Sequence, residues 1–195
     1  MFFNRRFQKG FTILELLVVV AIIGILTAVV FGALNNARAK GADKAIISNL
    51  ASVRSQADLY YGANTNSYGT FNGNNVSGAA GNCPSISFAP AITGQYQHSV
   101  FRDTLTGGMT FSVVATNAIT EANKQSGGSE SGTQRLTNTR CATNGATWAV
   151  AVNLKTNSGR SWCVDSNGSA KEVAAAAGAS NAVFDTTTSG VVKCS

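Results

Sequence analysis

The sequence of 195 residues has few charged residues, two prolines and one histidine. Charged residues make up 12% of the chain, about half the share usual for a globular domain. Full disorder is excluded, because it requires high charge and low hydrophobicity, whereas 44% of these residues are hydrophobic. Two prolines exclude a collagen helix, and one histidine with four scattered cysteines argues against a zinc finger. The length suits one domain with a short appendage.

The net charge of +6 first suggests nucleic acid or an anionic membrane as a partner. The positions of the charges change that interpretation. Arg5, Arg6 and Lys9 supply half of the excess within a leader that contains no acid. Residues 38–44 add three more basic side chains directly after a long apolar segment. From Arg54 onward basic and acidic residues nearly balance, so the sequence does not support a nucleic-acid interface there.

The uncharged residues are concentrated near the N-terminus. Between Leu16 and Ala37 there is no charge, and a helix of about 22 such residues spans the roughly 30 Å hydrocarbon core of a bilayer. Because basic residues precede the segment, the leader is expected to stay in the cytoplasm and the remainder to lie outside. A signal anchor, a secretory signal cleaved near residues 37–39 and a buried core helix are alternatives, and none of them explains Glu15.

Glu15 is the fifth residue of the apolar block that begins at Phe11. A carboxylate at membrane depth costs about 2.5–3.5 kcal/mol, so it is expected to have a partner. Cleavage between Gly10 and Phe11 would create an α-amino cation at Phe11, four residues from Glu15 and on the same helix face. The amine of the same or a neighbouring subunit would then neutralise the carboxylate. The alternative is an interfacial glutamate that reaches the lipid headgroups.

Residues 9–26, KGFTILELLVVVAIIGIL, resemble the processing region of type IV pilins and pseudopilins. The shared features are a basic leader, Gly followed by Phe, Glu four residues later and an unbroken apolar helix. The resemblance implies cleavage after Gly10 by a prepilin peptidase, N-methylation of Phe11 and a subunit-pairing role for Glu15. It also implies that identical or homologous pilin subunits are assembled into a filament by a membrane platform and its ATPase.

Beyond the membrane segment, apolar side chains recur every three or four residues, which predicts an amphipathic continuation of the helix. They are Ile46, Leu50, Val53, Ala57 and Tyr60 or Tyr61. Gly62 marks the stop, so one helix of about 50 residues is predicted from Phe11 to Tyr61. The expected domains are a cleaved leader at 1–10, an apolar half-helix at 11–37, an amphipathic half-helix at 38–62 and a head at 63–195.

The head is expected to contain an antiparallel β-meander. Alternating apolar residues predict strands at 147–154, 160–164 and 170–173, joined by turns at 156–159 and 165–168. The remaining expectations are a strand at 109–114, a short helix as an alternative for 99–106, loops at 62–82 and 125–134, and an edge strand from the tail at 174–195. A long N-terminal helix on an antiparallel sheet is α+β and resembles the pilin fold.

The four cysteines follow the membrane segment and are expected outside the cytoplasm, where disulfides persist. Of three possible pairings we favour Cys83–Cys141, which would pin a long loop, and Cys163–Cys194, which would pin the C-terminal tail. Metal binding is the rival interpretation, but no pair has C-x-x-C spacing and His98 stands alone. No metal and no cofactor is therefore expected.

The sequence has no signature of an enzyme. His98 lacks a partner motif, and residues 165–168 resemble the start of a calcium loop without its later Glu, so a plain Asn-Gly turn is favoured. The function expected is a structural subunit of a type IV pilus, first a single-pass membrane precursor and then part of a surface filament. The alternatives are a pseudopilin in a periplasmic secretion filament, a minor tip pilin that acts as an adhesion module, and an enzyme on a signal anchor.

Overall fold

The computed structural model describes residues 10–71, 83, 98–99, 101–103, 110–130, 136–174, 184–185 and 192–194. The chain divides into two compact units, Met1–Arg38 and Ala39–Ser195. The elements are α1 (Ile13–Ala63), β1 (Thr70–Phe71), β2 (His98–Ser99), β3 (Arg102–Asp103), α2 (Thr110–Gln125), β4 (Thr139–Asn144), β5 (Trp148–Asn153), β6 (Arg160–Asp165), β7 (Ala170–Ala174), β8 (Phe184–Asp185) and β9 (Lys193–Cys194).

Helix α1 has 51 residues, close to the predicted length, and belongs to both units. In the first unit its side chains are exposed throughout. In the second unit the predicted apolar stripe is confirmed, since all five of its residues are fully buried. These are Ile46, Leu50, Val53, Ala57 and Tyr60. Each large side chain of that stripe contributes about 1.5–3 kcal/mol by burial, so the stripe is a main source of packing energy in the second unit.

Five strands form one antiparallel sheet in the order β1-β4-β5-β6-β7. The three predicted meander strands are confirmed as β5, β6 and β7. In the register of β5 with β6, Val150 lies opposite Val164 and Val152 opposite Trp162. A long helix with an antiparallel sheet is the α+β arrangement of the pilin fold, as the sequence predicted.

The sheet is buried on both faces, and the two faces differ in side-chain size. Trp148, Val150 and Val152 of β5 belong to the cluster that contains the α1 stripe. The alternate residues Ala149 and Ala151 belong to a second cluster. Its other members are Ala142, Cys163, Val173, Val192 and Cys194. The small side chains of this second face therefore leave room for the C-terminal residues to lie against it.

The strand predicted at 109–114 is wrong, because Thr110–Gln125 form helix α2. Met109 lies outside the described residues. Buried residues of α2 recur at helical spacing, with Ala115, Ile119 and Ala122 in the core next to Phe101. A short alternating apolar run fits a strand and one turn of a helix alike, and only the longer window distinguishes them.

Helix α2 ends in a Schellman motif. The Gly127 N–H donates to the carbonyl of Lys124 at 3.0 Å, and the Gly128 N–H donates to that of Asn123 at 2.8 Å. Gly127 has φ +83°, a left-handed conformation that glycine adopts without steric cost. The loop predicted at 125–134 thus begins one residue late, and Glu130 forms a bridge with Leu136. Residues 131–134 lie outside the described part of the chain.

Three further expectations for the head are corrected. Within 99–106, the short helix is wrong, because β2 and β3 pair as an antiparallel ladder. Within 62–82, α1 continues to Ala63, and β1 lies at the edge of the sheet beside β4. In the tail, β9 pairs with β8 in a separate ladder instead of extending the large sheet. Residues 72–82, 104–106 and 186–191 lie outside the described residues.

Candidate functional site

The N-terminal candidate site comprises the residues that precede and open α1. Gly10 and Phe11 come before the helix and are exposed, Phe11 by 88%. Because the helix begins at Ile13, Thr12 occupies the N-cap position and Glu15 the third helical position. The predicted processing residues are thus accessible and lie outside regular secondary structure.

Thr12 and Glu15 form a reciprocal capping box. The Thr12 N–H and the Thr12 hydroxyl each donate to Oε2 of Glu15 at 3.0 Å. In return, the Glu15 N–H donates to Oγ1 of Thr12 at 3.2 Å. Two backbone N–H groups that a helix start leaves without partners are therefore satisfied, and the carboxylate lies where the helix dipole favours negative charge.

This cap gives Glu15 a partner that the sequence reasoning missed. The signal was present as Thr12-x-x-Glu15 directly before an apolar run, the sequence pattern of a capping box. Within the described chain, Thr12 and not Phe11 binds the carboxylate. Both hydrogen bonds reach Oε2, and Oε1 has no hydrogen-bond partner among the described residues. The second oxygen thus remains open to a cation.

The first unit exposes an apolar surface around its whole circumference. Every large apolar side chain between Phe11 and Leu34 is at least 39% exposed. The most apolar 18-residue window of α1 has a mean hydropathy of 3.0 and no buried residue. By length and composition, α1 is the one helix among the described residues that could cross a membrane. A surface of this kind requires lipid or other apolar helices around it.

In the second unit, Asp165 links the β6–β7 turn to the C-terminal tail. Its carboxylate is fully buried. Oδ1 accepts the N–H groups of Asn167 at 3.0 Å and Ser169 at 2.9 Å, and Oδ2 accepts that of Cys194 at 2.9 Å. These three bonds satisfy the buried charge and fix the tail next to the disulfide partner of Cys194.

The carbonyl oxygens of the same turn are occupied by Arg54 of α1. Its Nη2 donates to the carbonyl of Asp165 at 3.5 Å and also to that of Ser169. The oxygens of Asp165 in the calcium-like stretch are thus engaged inside the protein, the carboxylate by backbone N–H groups and the carbonyl by a guanidinium. The arrangement therefore favours the plain turn over a calcium loop.

The structure joins Cys83 to Cys141 and Cys163 to Cys194, the pairing preferred from the sequence. Cys141 lies in the cluster on the α1 face of the sheet, whereas Cys163 and Cys194 lie in the cluster on the opposite face. Each face of the sheet therefore contains one disulfide. In the chain-entropy model, loops of 58 and 31 residues correspond to about 4 kcal/mol of stabilisation each.

The other candidate residues show no metal-binding cluster in the described part of the chain. His98 belongs to β2 and pairs in register with Asp103 of β3. The described residues contain no group of three or more His, Cys, Asp or Glu side chains that could hold a metal ion. The residues that geometry does bring together are Thr12 with Glu15, and Asp165 with the Cys163–Cys194 disulfide.

Comparison with known proteins finds a family model and relatives that each match part of the chain. Residues 5–31 match the family model of the prokaryotic N-terminal methylation motif. The type II secretion system core protein G of Dickeya chrysanthemi is 36% identical over 56 residues, which is 29% of this chain and 37% of that protein. The core protein G of Klebsiella michiganensis is 36% identical over 57 residues, 29% of this chain and 40% of that protein. No solved structure matches the chain.

Part of the chain is therefore similar to the prokaryotic N-terminal methylation motif and to a type II secretion system core protein, and α1 contains a long apolar segment. The chain spans about two fifths of the length of the curated relatives. The match to the methylation motif contains Gly10, Phe11 and Glu15. By name, the relatives are core proteins of a type II secretion system.

Proposed function

We propose that the chain is a structural subunit of a type IV pilus and has no catalytic role. The precursor is held in the cytoplasmic membrane by the apolar half of α1, with residues 1–10 on the cytoplasmic side. Prepilin peptidase cleaves after Gly10 and N-methylates Phe11. An assembly platform and its ATPase then insert the subunit into a helical homopolymer at the cell surface.

The observation that supports this proposal is the exposed apolar surface between Phe11 and Leu34, which follows an accessible Gly10–Phe11 bond. Transferring a large apolar side chain from water contributes about 1.5–3 kcal/mol, so leaving all of them in water is untenable. Lipid covers them in the precursor, and the helices of neighbouring subunits cover them in the filament.

Glu15 is assigned to pairing with the methylated amine at residue 11 of a neighbouring subunit. Because Thr12 uses only Oε2, the other carboxylate oxygen is available to that cation. The amine compensates the charge that would otherwise oppose burial of Glu15 in the filament.

Two substitutions separate the pairing role from the capping role. Glu15→Ala removes the cap and the charge, whereas Glu15→Gln keeps the cap, because glutamine serves in a capping box, and removes only the charge. We expect both variants to insert into the membrane and to yield few filaments. Wild-type filament yield from Glu15→Ala would refute the pairing role, and a loss confined to Glu15→Ala would assign Glu15 to capping alone.

The second candidate is a pseudopilin that forms a short periplasmic filament in a type II secretion system. It is favoured by the names of the two relatives. The two disulfides and the predicted head of 133 residues, 63–195, favour the surface pilus over the pseudopilin. A minor pilin at a filament tip is the third candidate, and its head would act as an adhesion module.

Shearing filaments from cells and measuring the N-terminal mass of their subunits tests these candidates together. Abundant surface filaments whose subunits begin with N-methylated Phe11 support the major pilin. The same processed terminus found only in the periplasm supports the pseudopilin. Processed chains present at a few copies per filament support the minor pilin. An intact leader, or a mature chain that begins near Lys40, would refute all three.

A further inference from the structure

Lys40 and Lys44 are exposed lysines on one face of α1, at the start of the second unit. They are four residues apart, so their side chains lie one above the other on the helix surface. Neither ammonium group has an ion-pair or hydrogen-bond partner within the part of the chain that the structure describes. Together they form an uncompensated basic surface, named here the Lys40/Lys44 surface.

The acidic residue nearest to these lysines along α1, Asp43, is bound to the β5–β6 turn. Asp43 accepts the N–H of Lys155 at 2.6 Å, and it also accepts the N–H and the hydroxyl of Thr156. At helical spacing Asp43 would otherwise be a natural partner for Lys40, three residues before it. Since the carboxylate is instead bound to the β5–β6 turn, the charge of both lysines is left for an external anion.

The position of the two lysines along α1 determines which anion they meet. Along the chain, Lys40 and Lys44 follow Leu34, the last large exposed apolar residue of the first unit, by six and ten residues. The headgroup layer of a leaflet is about 5–8 Å thick. Helical side chains lean toward the helix N-terminus, so both lysines lean back toward that layer.

We propose that the Lys40/Lys44 surface binds the phosphate groups of anionic phospholipids in the non-cytoplasmic leaflet, and so docks the start of the second unit on the membrane before assembly. This inference rests on the membrane-anchored precursor of the proposed function. It also accounts for basic residues directly outside a membrane span, where the positive-inside rule disfavours them. Entry into a filament would remove the lipid and break the contact.

Amine acylation of the full-length protein in lipid nanodiscs tests the contact without any substitution. The rates at Lys40 and Lys44 are followed by peptide mass spectrometry in discs of pure phosphatidylcholine and in discs that contain phosphatidylglycerol. We expect roughly fivefold slower acylation of both lysines in the anionic discs, the effect of one juxtamembrane lysine at an anionic surface. The protection should disappear in 0.5 M salt, because charge interactions at surfaces are screened.

Lys171 is the internal control for this experiment. It is exposed on β7, two residues beyond Ser169, whose carbonyl binds Arg54. Lys171 therefore lies near a part of α1 that is ten residues farther along the chain from the apolar segment than Lys44. The acylation rate of Lys171 should therefore not depend on lipid charge. Slowing of Lys171 by the same factor as Lys40 and Lys44 would show general attraction of the reagent or the protein and would overturn the assignment.

Variants provide a second, independent measurement. Native mass spectrometry counts the phosphatidylglycerol molecules that stay bound on release from the discs. The Lys40→Gln/Lys44→Gln double variant should retain fewer of them than the wild type, and Lys171→Gln should retain as many. Equal retention by the double variant, equal acylation rates in both discs, or protection that rises with protein density at constant lipid charge would each overturn lipid binding. The last result would identify a second copy of the chain as the partner.

The outcomes also separate this inference from the proposed function. If no filaments form in cells but both lysines are protected in anionic discs, the lipid contact stands and the pilus assignment fails. If filaments with N-methylated Phe11 form but the lysines react alike in both discs, the pilus assignment stands and the lipid contact fails.

Discussion

Replacing Asp165 with asparagine tests whether one buried carboxylate holds the C-terminal tail in place. The carboxylate accepts three backbone N–H groups, two through Oδ1 and one through Oδ2. Asparagine keeps the shape but replaces one oxygen with an NH₂ group. If its oxygen stays on Asn167 and Ser169, its amide donor faces the N–H of Cys194, and two donors meet without an acceptor.

The expected cost follows from these contacts. An unsatisfied buried donor costs about 1–3 kcal/mol, and hydrogen bonds to a charged acceptor are worth about 1 kcal/mol more than those to a neutral one. The free energy of unfolding of the second unit should therefore fall by roughly 2–4 kcal/mol, out of the 5–15 kcal/mol typical of a native domain. Urea unfolding of the oxidised, detergent-solubilised protein, followed by tryptophan fluorescence, measures this change.

The same substitution should also affect the two disulfides unequally. Because Cys194 loses its backbone hydrogen bond, the Cys163–Cys194 bond should be reduced faster by dithiothreitol, whereas Cys83–Cys141, in the other cluster, should change less. Asp58→Asn is the matched control, since Asp58 is exposed. Equal unfolding free energies for the two variants, or equal acceleration of both disulfides, would refute the anchoring role of Asp165.

Two further predictions concern the second unit. Gly127→Ala should lower the melting temperature by about 2–6 °C, because alanine is strained at φ +83°. Gly62→Ala, whose Cβ would enter open space, should not lower it, and equal melting temperatures would contradict the strain argument. Burial, with a smaller contribution from the charge of Asp58, raises the pKa of Tyr68 above 10. The contribution of the protonated Tyr68 to the free energy of unfolding is therefore complete below pH 10, and it is lost as the pH rises through the higher folded-state pKa. Absorbance titration at 295 nm should show a late-ionising tyrosine that is missing in Tyr68→Phe, and a titration curve unchanged in shape by that substitution would show the prediction to be wrong.

The long helix and the meander could be predicted because the apolar residues of each keep one regular spacing over a long stretch of sequence. The α1 stripe from Ile46 to Tyr60 covers four turns of consistent spacing, and all of its members are buried. The strand error at residues 110–114 arose in a window too short to distinguish two periodicities. Ala115 and Ala122, which complete the helical stripe of α2, are too small to mark a core position in the sequence.

The second buried face of the sheet could not be predicted from the sequence, because its residues are also too small to mark a core position. Ala149 and Ala151 alternate with large residues, and such a pattern normally indicates one buried and one solvated face. In the structure both are at most 2% exposed, because β9 and Val192 lie against them. Small residues here permit close approach of a backbone, and which segment approaches depends on Asp165 and the Cys163–Cys194 bond. These contacts are long-range and leave no periodic signal.

At the N-terminus the sequence analysis explained Glu15 by an ion pair or by contact with lipid headgroups, and it did not predict the hydrogen bonds with Thr12. The capping box shows that the carboxylate already has a structural task before any cleavage. The two tasks are compatible, since the cap engages one oxygen and a cation would engage the other. Cleavage after Gly10 would place the new amine one residue before Thr12, beside a helix start whose dipole repels positive charge. A carboxylate fixed in position by Thr12 would offset that repulsion, so the cap is compatible with the proposed pairing of Glu15 with the amine of its own or a neighbouring chain.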